Sequence, residues 1–229
     1  MTTTAPTTVL PARAAGPLPI ALAATFTTVV EGLSLAEFLP APVAFLVGAA
    51  WGVGIALLAR RLSRTAMLAA RLEDGLVVLG TIAMALFAFG GFAGLLVLNG
   101  AMDSSSLTGE TLVAMFMPSI PVAIAANVPT ELLVVPGLLV LGWRTGIRRT
   151  LILAASALYL LHRVWTYLVF ASGRLDFAAA EHSTTPLTAA ERAQHLEQLH
   201  LDDPRWILNL VIFGLFLGAA HFPRSTRRP

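Results

Sequence analysis

The sequence predicts an all-α protein, a polytopic transmembrane helix bundle of about six spans with both termini in the cytoplasm. Two features of the composition indicate this fold class. Of the 229 residues, 56% are hydrophobic and only 12% are charged, whereas soluble domains carry about 25% charged residues. Apolar runs of about 18 residues or more also recur, and each is long enough to cross about 30 Å of hydrocarbon. A transmembrane β-barrel would instead show shorter segments of alternating polarity.

The spans follow one another along most of the chain. Residues Met1–Gly16 are rich in Thr, Ala and Pro, so we expect a disordered tail there. A helix bundle is expected over residues 17–223, and a short basic cytoplasmic tail over 224–229. The predicted spans are Leu18–Leu39, Val43–Ala59, Gly75–Leu98, a long region Leu112–Trp143, Leu151–Ala171 and Trp206–His221. Pro40 ends the first span, Arg60 the second and Asn99 the third.

The arginines give the orientation. All fifteen basic residues are Arg, and cytoplasmic loops of membrane proteins carry an excess of positive charge. With the amino terminus inside, eleven arginines lie on the cytoplasmic side and three lie outside. The inner set is Arg13, Arg60, Arg61, Arg64, Arg71, Arg144, Arg148, Arg149, Arg224, Arg227 and Arg228, and the outer set is Arg174, Arg192 and Arg205. We therefore expect a multi-pass protein of a cell membrane, most naturally a bacterial plasma membrane.

The fourth region, Leu112–Trp143, is too long for one straight span. It also contains four prolines, each of which removes a backbone donor and bends or breaks a helix. The four are Pro118, Pro121, Pro129 and Pro136. One interpretation is a single kinked and tilted helix. The other, which the prolines favour, is a re-entrant or surface segment over Leu112–Ala126 followed by a crossing over Val128–Trp143.

The outer loop Ser172–Arg205 is the only sizeable polar segment between spans. Thr188 and Glu191 stand three residues apart, which is the spacing of a capping box at the start of a helix. We expect a short helix here that lies on the outer surface or caps the bundle.

Three ionisable residues interrupt the apolar spans. Glu31 lies about 20 Å from the cytoplasmic end of the first span, at 1.5 Å per helical residue. Arg163 and Glu131 each lie about 18 Å from the inner ends of their own spans by the same rise. A charged side chain at the bilayer centre costs about 2.5–3.5 kcal/mol on insertion scales, so such residues mark functional sites by default. Their similar depth predicts that the guanidinium group meets the carboxylates.

Polar neighbours extend this predicted cluster. His162 adjoins Arg163, and Asn127 lies one helical turn before Glu131. Trp165 and Tyr167 are interface anchors or line a pocket beside Arg163. We take Glu31, Glu131, His162 and Arg163 as candidate catalytic residues. Asn127, Trp165 and Tyr167 are candidate substrate-binding residues. The alternative is a buried ion pair that only fixes helix packing.

The sequence predicts no metal and no cofactor. The chain has no cysteine, which excludes disulfides, Cys-ligated zinc, iron–sulfur clusters and thiol catalysis. His182, His195 and His200 lie in the outer loop without a dense ligand set. The glycine-rich stretches Gly52–Gly54 and Gly90–Gly94 indicate close helix packing rather than a nucleotide-binding loop.

The expected partners follow from the same composition. The sequence pI is about 9.9, but membrane topology explains the arginines, so no nucleic-acid partner is expected. The lipid bilayer is one partner and a lipophilic small molecule is the other, while the oligomeric state stays open.

Two short motifs resemble those of the anthrone-oxygenase-like family of small integral membrane proteins. The motifs are Asn127-Val128-Pro129 within an apolar span, and Trp206 followed by Asn209 at the start of the last span. The resemblance implies a compact helical membrane protein linked to oxidation of polyketide anthrones without an evident metal or flavin. It adds Asn209 to the candidate substrate-binding residues. This chain differs from the family in its extra spans, its long outer loop and the lack of an arginine shortly after Asn209.

Three classes of function remain open, and the sequence does not decide whether the chain is an enzyme. The first is a membrane-embedded enzyme that acts on a lipophilic small molecule, polyketide-like or isoprenoid-like, with buried acid–base groups. The second is a small transporter or channel, and the third is a structural membrane subunit. Transporters often contain repeated halves, and none is visible in the sequence, which favours the enzyme.

Overall fold

The computed structural model describes residues 16–223 and is 82% helical. Within that range no strand forms, and Thr108 and Pro186 make an isolated β-bridge. The first helices are α1 (Pro17–Leu35), α2 (Ala41–Leu62), α3 (Ala66–Met102) and α4 (Gly109–Phe116). A continuous helix follows, made of α5 (Ser119–Pro129), a first π-turn (Thr130–Val134) and α6 (Val135–Leu141). A second continuous helix contains α7 (Ile147–Trp165), a second π-turn (Thr166–Phe170) and α8 (Ala171–Ala179). Two further helices are α9 (Ala189–Leu199) and α10 (Arg205–His221).

The predicted fold class is confirmed. Five helical stretches are long and apolar enough to cross a membrane, with Gly109–Leu141 and Ile147–Ala179 each counted as one stretch. The apolar helix α10 is shorter, at 17 residues, and spans about 25 Å at 1.5 Å per residue. It packs lengthwise against α3 and α7, so about six spans is a consistent description of the bundle.

Several predicted span limits were too narrow. The third helix begins at Ala66 and ends at Met102, so it extends beyond the predicted Gly75–Leu98 at both ends. The fifth continues to Ala179, past the predicted end at Ala171. Hydropathy locates only the apolar part of a helix, whereas backbone hydrogen bonding continues through polar residues as long as no breaker intervenes.

The fourth region divides at a different point from the one predicted. A short helix does precede the crossing, but the break lies at Met117 and Pro118, not between Ala126 and Val128. The helix runs without interruption through Pro129. Proline has no N–H to donate, and the chain responds with a π-turn, in which the amide of Val135 bonds to the carbonyl of Thr130.

The ends of three helices meet on one side of the bundle. Arg148, at the start of α7, binds Glu73 near the start of α3 and the carbonyl oxygen of Phe222 just beyond α10. Helices α1 and α2 form an antiparallel hairpin, and a short turn joins α2 to α3. The first and last described helices therefore have their free ends on this same side, as an even number of crossings requires. We call it the inner side, because the arginine distribution assigns it to the cytoplasm.

The predicted capping box forms at the start of α9. The amide of Thr188 donates to Glu191 Oε2 at 2.7 Å, and the amide of Glu191 donates to Thr188 Oγ1 at 3.2 Å. The helix ends at His200, whose backbone is left-handed, with φ 51°. Asn99 near the end of α3 then donates to the carbonyl oxygen of Leu201 at 2.9 Å. Helix α9 is thereby fixed over the outer end of the bundle.

Candidate functional site

Arg163 and Glu131 form an ion pair between two helices. The Arg163 side chain is 8% exposed and the Glu131 side chain is 5% exposed, and Arg163 Nε lies against Glu131 Oε1. Their similar depth in the sequence analysis predicted this meeting. The ion pair lies at the level of both π-turns, since Glu131 belongs to the first π-turn and Arg163 lies three residues before the start of the second.

Tyr159 is a member of this cluster that the sequence analysis missed. Its hydroxyl lies 3.1 Å from Glu131 Oε1 and 2.9 Å from Asn127 Oδ1, and the side chain is fully buried. It stands four residues before Arg163, and residues four apart share one helix face. That spacing was the available signal. Asn127 therefore joins the cluster through Tyr159, in agreement with its predicted place.

Tyr167 and Trp165, the two aromatic residues predicted beside Arg163, lie on different faces of the helix. Tyr167 accepts a hydrogen bond from Arg163 Nη2, and the Arg163 guanidinium lies 4.5 Å from the centre of the Tyr167 ring. The Tyr167 hydroxyl has Ser34 of α1 as a second hydrogen-bonding neighbour. Trp165 is partly exposed and packs against Phe170 instead. The pocket-lining role suggested for Trp165 beside Arg163 is wrong, because two residues of helix rotate it to another face.

Glu31 brings a second carboxylate to the cluster from α1. It interacts electrostatically with Glu131 and with Arg163, and its Oε1 atom is buried without a hydrogen-bond partner among the described residues. Gly48 of α2 permits this placement, since a Cβ atom there would lie 3.1 Å from Glu31 Cβ. Glu131 therefore pairs directly with the Arg163 guanidinium group, whereas Glu31 acts on that pair only through its charge.

Both π-turns lie within or beside the cluster. Each contains a hydrogen bond from an amide to the carbonyl five residues earlier, Val135 to Thr130 and Ala171 to Thr166. A π-turn inserts one extra residue into a helix and commonly occurs at functional sites. Here each extra residue rotates the following side chains about the helix axis, at the level where Glu131 and Arg163 meet.

A cavity of about 290 Å³ occupies the outer half of the bundle. Its walls are mainly apolar and come from α3, α4, α5 and α10, with the α9–α10 turn over its outer end. They include Phe87, Leu95, Leu98, Phe116, Val122 and Trp206. Phe87 and Leu98 are three helical turns apart on α3, so the cavity extends about 16 Å along that helix at 1.5 Å per residue.

Glycines on α3 leave room for this cavity. A Cβ atom added at Gly91 or Gly94 would meet nothing within 4 Å, and both residues line the cavity wall. The close packing predicted for this stretch is therefore wrong at these two positions. It is correct at Gly52 on α2, where an added Cβ atom would come 1.8 Å from Thr27 Oγ1 and 3.0 Å from Ala24 Cα.

His162 and Asn209 form the deep end of the cavity. They are only 1% and 6% exposed, and His162 Nδ1 and Asn209 Oδ1 find no hydrogen-bond partner in the described part of the chain. Buried polar atoms are nearly always hydrogen-bonded. The His162 ring also packs against Tyr159, so it lies between the buried cluster and the cavity. Asn209, predicted as a substrate-binding residue, lines the cavity and not the cluster.

Charged residues line the outer end of the cavity. Arg205 Nε lies 2.9 and 2.7 Å from the two carboxylate oxygens of Asp203, and Arg205 Nη1 donates to Thr166 Oγ1 at 2.6 Å. Arg174 Nη2 is 3.5 Å from Asp203 Oδ2. From the sequence, Arg174 and Arg205 indicated only membrane topology. The Asp203–Arg205 pair at the start of α10 was the signal for a local ion pair.

A second ion-pair network lies on the inner side and was also missed. Arg148 Nε is 2.8 Å from Glu73 Oε1, and Arg148 Nη2 is 2.8 Å from Asp74 Oδ1. An open pocket of about 600 Å³ adjoins Asp74, Arg148 and His221. Between this pocket and the outer cavity, α3 and α10 are packed together by the fully buried side chains of Met84 and Phe216.

The outer-loop histidines do not assemble a metal site within residues 16–223. His182 and His195 both pack on Phe177, with 6.4 Å between the two imidazole centres. His200 packs instead on Phe170. No group of three or more His, Cys, Asp or Glu residues in this range has the arrangement of a metal site.

Comparison with known protein families, with curated proteins and with solved structures gives no match for this chain. The resemblance to the anthrone-oxygenase-like family therefore stays a prediction that rests on the two short motifs.

Proposed function

We propose that the chain is a membrane-embedded enzyme that transfers protons on a lipophilic small molecule held in the outer cavity. The observation that carries this proposal is the deep end of the cavity, where His162 and Asn209 present unpartnered polar atoms below apolar walls. Ligand pockets typically combine apolar walls with a few convergent polar groups. A polyketide-like or isoprenoid-like compound with one hydroxyl or carbonyl group suits such a site.

His162 is the proposed acid–base residue because a neutral imidazole has one nitrogen that accepts a proton and one that donates, and its ring lies at the deep end of the cavity. In the proposed reaction it takes a proton from a carbon atom of the ligand and the proton returns at another carbon atom, so no oxidant or reductant is needed. Asn209 positions the ligand by accepting a hydrogen bond from its hydroxyl group. Half-buried Glu31 and buried Glu131, with Tyr159 beside His162, are proposed to hold the exchanged proton.

The packing between the two cavities favours an enzyme over a transporter. A transport path has to reach both surfaces, but Met84, Ile212 and Phe216 fill the space between the outer cavity and the inner pocket with fully buried side chains. A purely structural role is less consistent with the cluster. A core that serves only packing has little reason to leave the buried polar atoms of Glu31, His162 and Asn209 without partners.

Deuterium transfer from solvent tests the proposal. Membranes that contain the full-length protein are incubated in D₂O with a lipophilic extract of the producing cells, and the extract is then analysed by mass spectrometry. Proton removal and return at carbon leaves solvent deuterium in the substrate. We expect labelled compounds with the wild-type protein and at least about 100-fold slower labelling with His162→Gln, the usual contribution of a general acid–base residue.

His221→Gln is the matched control, since His221 is exposed at the inner end of α10. It should label the same compounds at the wild-type rate. Labelling that survives in His162→Gln, or a wild-type protein that labels nothing above empty membranes, would refute the proposed reaction.

A further inference from the structure

Two guanidinium groups share one carboxylate at the outer end of the outer cavity. Asp203 binds mainly to Arg205, whose Nε lies within 2.9 Å of both carboxylate oxygens. The backbone amide of Arg205 also donates a hydrogen bond to Asp203 Oδ1 at 2.9 Å. Arg174 reaches Asp203 only at 3.5 Å. The charges that act on Arg174 are those of Arg205 and Asp203, so its positive charge is incompletely neutralised.

Arg174 also has one N–H donor without an acceptor among the described residues. Its Nε atom is buried and lacks a hydrogen-bond partner among residues 16–223, while Nη2 donates to the carbonyl oxygen of Leu199 at 3.2 Å. The Phe170 ring lies 5.7 Å from the Arg174 guanidinium and 3.4 Å from that of Arg205. Arg174 therefore lines the cavity as a held, partly desolvated cation, a setting in which a charge-assisted hydrogen bond to an anion is strong.

The polar groups of the cavity lie at two levels. Arg174 and Arg205 stand at its outer end and His162 and Asn209 lie deeper, with Arg205 and Asn209 four residues apart on α10, about 6 Å at 1.5 Å of helix per residue. The volume of about 290 Å³ lies at the lower limit of ligand pockets, which typically measure about 300–1,000 Å³. A two-chain phospholipid is too large for this space, whereas one short chain or a small ring system fits.

We propose that the cavity binds an amphiphile with a terminal anionic group, a carboxylate or a phosphate, held by Arg174 at the outer end. The apolar body lies along the glycine face of α3 and directs the far end of the molecule towards His162. That this ligand is also the substrate rests on the proposed function, whereas the binding itself does not.

Binding of short amphiphiles to the full-length protein in a nonionic detergent tests this, because such a detergent supplies no competing phosphate. The probes are decanoate, decyl phosphate and the uncharged decanol, and bound molecules are counted by native mass spectrometry across a concentration series. We expect at least one anion to bind about tenfold or more tightly than decanol, the effect of one hydrogen bond to a charged group. The tighter anion identifies the head group.

Arg174→Gln should remove the preference for the anion and leave decanol binding unchanged. Arg192→Gln is the matched control, because Arg192 lies on α9 and donates to Leu187, away from the cavity lining. Gly94→Leu should abolish binding of every probe by filling the cavity, whereas Gly214→Leu, at another helical glycine with open space around it, should not.

The inference is overturned if decanol binds as tightly as both anions, or if Arg174→Gln retains the preference. It is distinguishable from the proposed function by the deuterium assay. Preference for the anion without any deuterium transfer refutes the enzyme and leaves the binding site standing. Deuterium transfer confined to uncharged compounds, together with equal binding of decanol, refutes the anionic ligand alone.

Discussion

The guanidinium group of Arg163 lies against the carboxylate of Glu131, although the two side chains come from different helices and both are more than nine-tenths buried. Removing two charges from water is costly, and only good geometry with additional hydrogen bonds offsets it. Tyr159 and Tyr167 supply those bonds, one to each partner. The pair therefore depends on one neighbour in the regular part of α7, Tyr159, and on one within the second π-turn, Tyr167.

Removing only one partner of this pair should strongly destabilise the protein. Arg163→Met leaves the Glu131 carboxylate buried and uncompensated, and we expect it to lower the free energy of unfolding by about 3–5 kcal/mol. The double variant Glu131→Leu/Arg163→Met should recover most of that loss, because no buried charge is left. Unfolding in mixed micelles measures both. Equal stability of the single and double variants would show that the pair is not coupled.

Two glycines of similar helical setting should respond oppositely to alanine. Gly52→Ala places a Cβ atom 1.8 Å from Thr27 Oγ1 and 3.0 Å from Ala24 Cα, so the hairpin of α1 and α2 has to separate. We expect a loss of about 1–3 kcal/mol, as for other overpacked sites. Gly91→Ala meets open space and should be neutral, or stabilising by up to about 1 kcal/mol through helix propensity. Thermal unfolding of the two variants checks this, and equal melting temperatures would contradict it.

Arg148 should stabilise the inner side of the bundle more than its neighbour Arg149 does. Arg148→Gln breaks the 2.8 Å ion pair with buried Glu73, and we expect a loss of about 3–5 kcal/mol, as for other buried ion pairs. Arg149 stacks on Trp143, with 4.1 Å from the guanidinium to the ring centre, and Arg149→Gln should cost only about 0.5–1 kcal/mol. Chemical unfolding compares the two. Similar losses would show that the Arg148 network contributes no more than a surface contact.

Acid should loosen the start of α9. The backbone amide of Thr188, with its hydroxyl, bonds the Glu191 carboxylate and holds the pKa of that group below its usual value of 4.5. A lowered folded-state pKa contributes stability that is present above pH 4.5 and is lost as the pH falls through the folded-state pKa. Hydrogen exchange of the first turn of α9 should therefore accelerate, after correction for intrinsic rates, as the pH falls below 4.5. The variant Glu191→Gln should not show this pH dependence.

Most of the fold was predictable from the sequence because lipid imposes a simple requirement on length and polarity. The span order, the pairing of helix ends on one side and the capping box of α9 all followed from hydropathy, arginine placement and the Thr188–Glu191 spacing. The break at Pro118 and the uninterrupted helix through Pro129 did not. Whether a proline breaks a helix depends on whether neighbouring turns can rearrange their hydrogen bonds, and that depends on tertiary packing.

The candidate site was predictable in depth but not in direction. Helical rise alone placed Glu131 and Arg163 at one level. The rotation of each helix decides which side chains face inward, and the π-turns change that rotation without a sequence signature. Tyr167 therefore entered the cluster while Trp165 did not. The outer cavity was unpredictable for another reason, since the glycines of α3 look the same in sequence whether a neighbouring helix or empty space lies beside them.

The packing of side chains between the helices differs on the two sides of the π-turns. On the inner side of the π-turns, the side chains of Leu138, Phe216 and Met84 are fully buried in a packed core. On their outer side the bundle encloses the cavity of about 290 Å³. A filled layer thus lies between the outer cavity and the open pocket of the inner side. Residues that line the outer cavity, such as Val122 and Leu95, can change in size without disturbing this layer. The shape of the cavity can therefore change by substitution while the helix architecture stays the same.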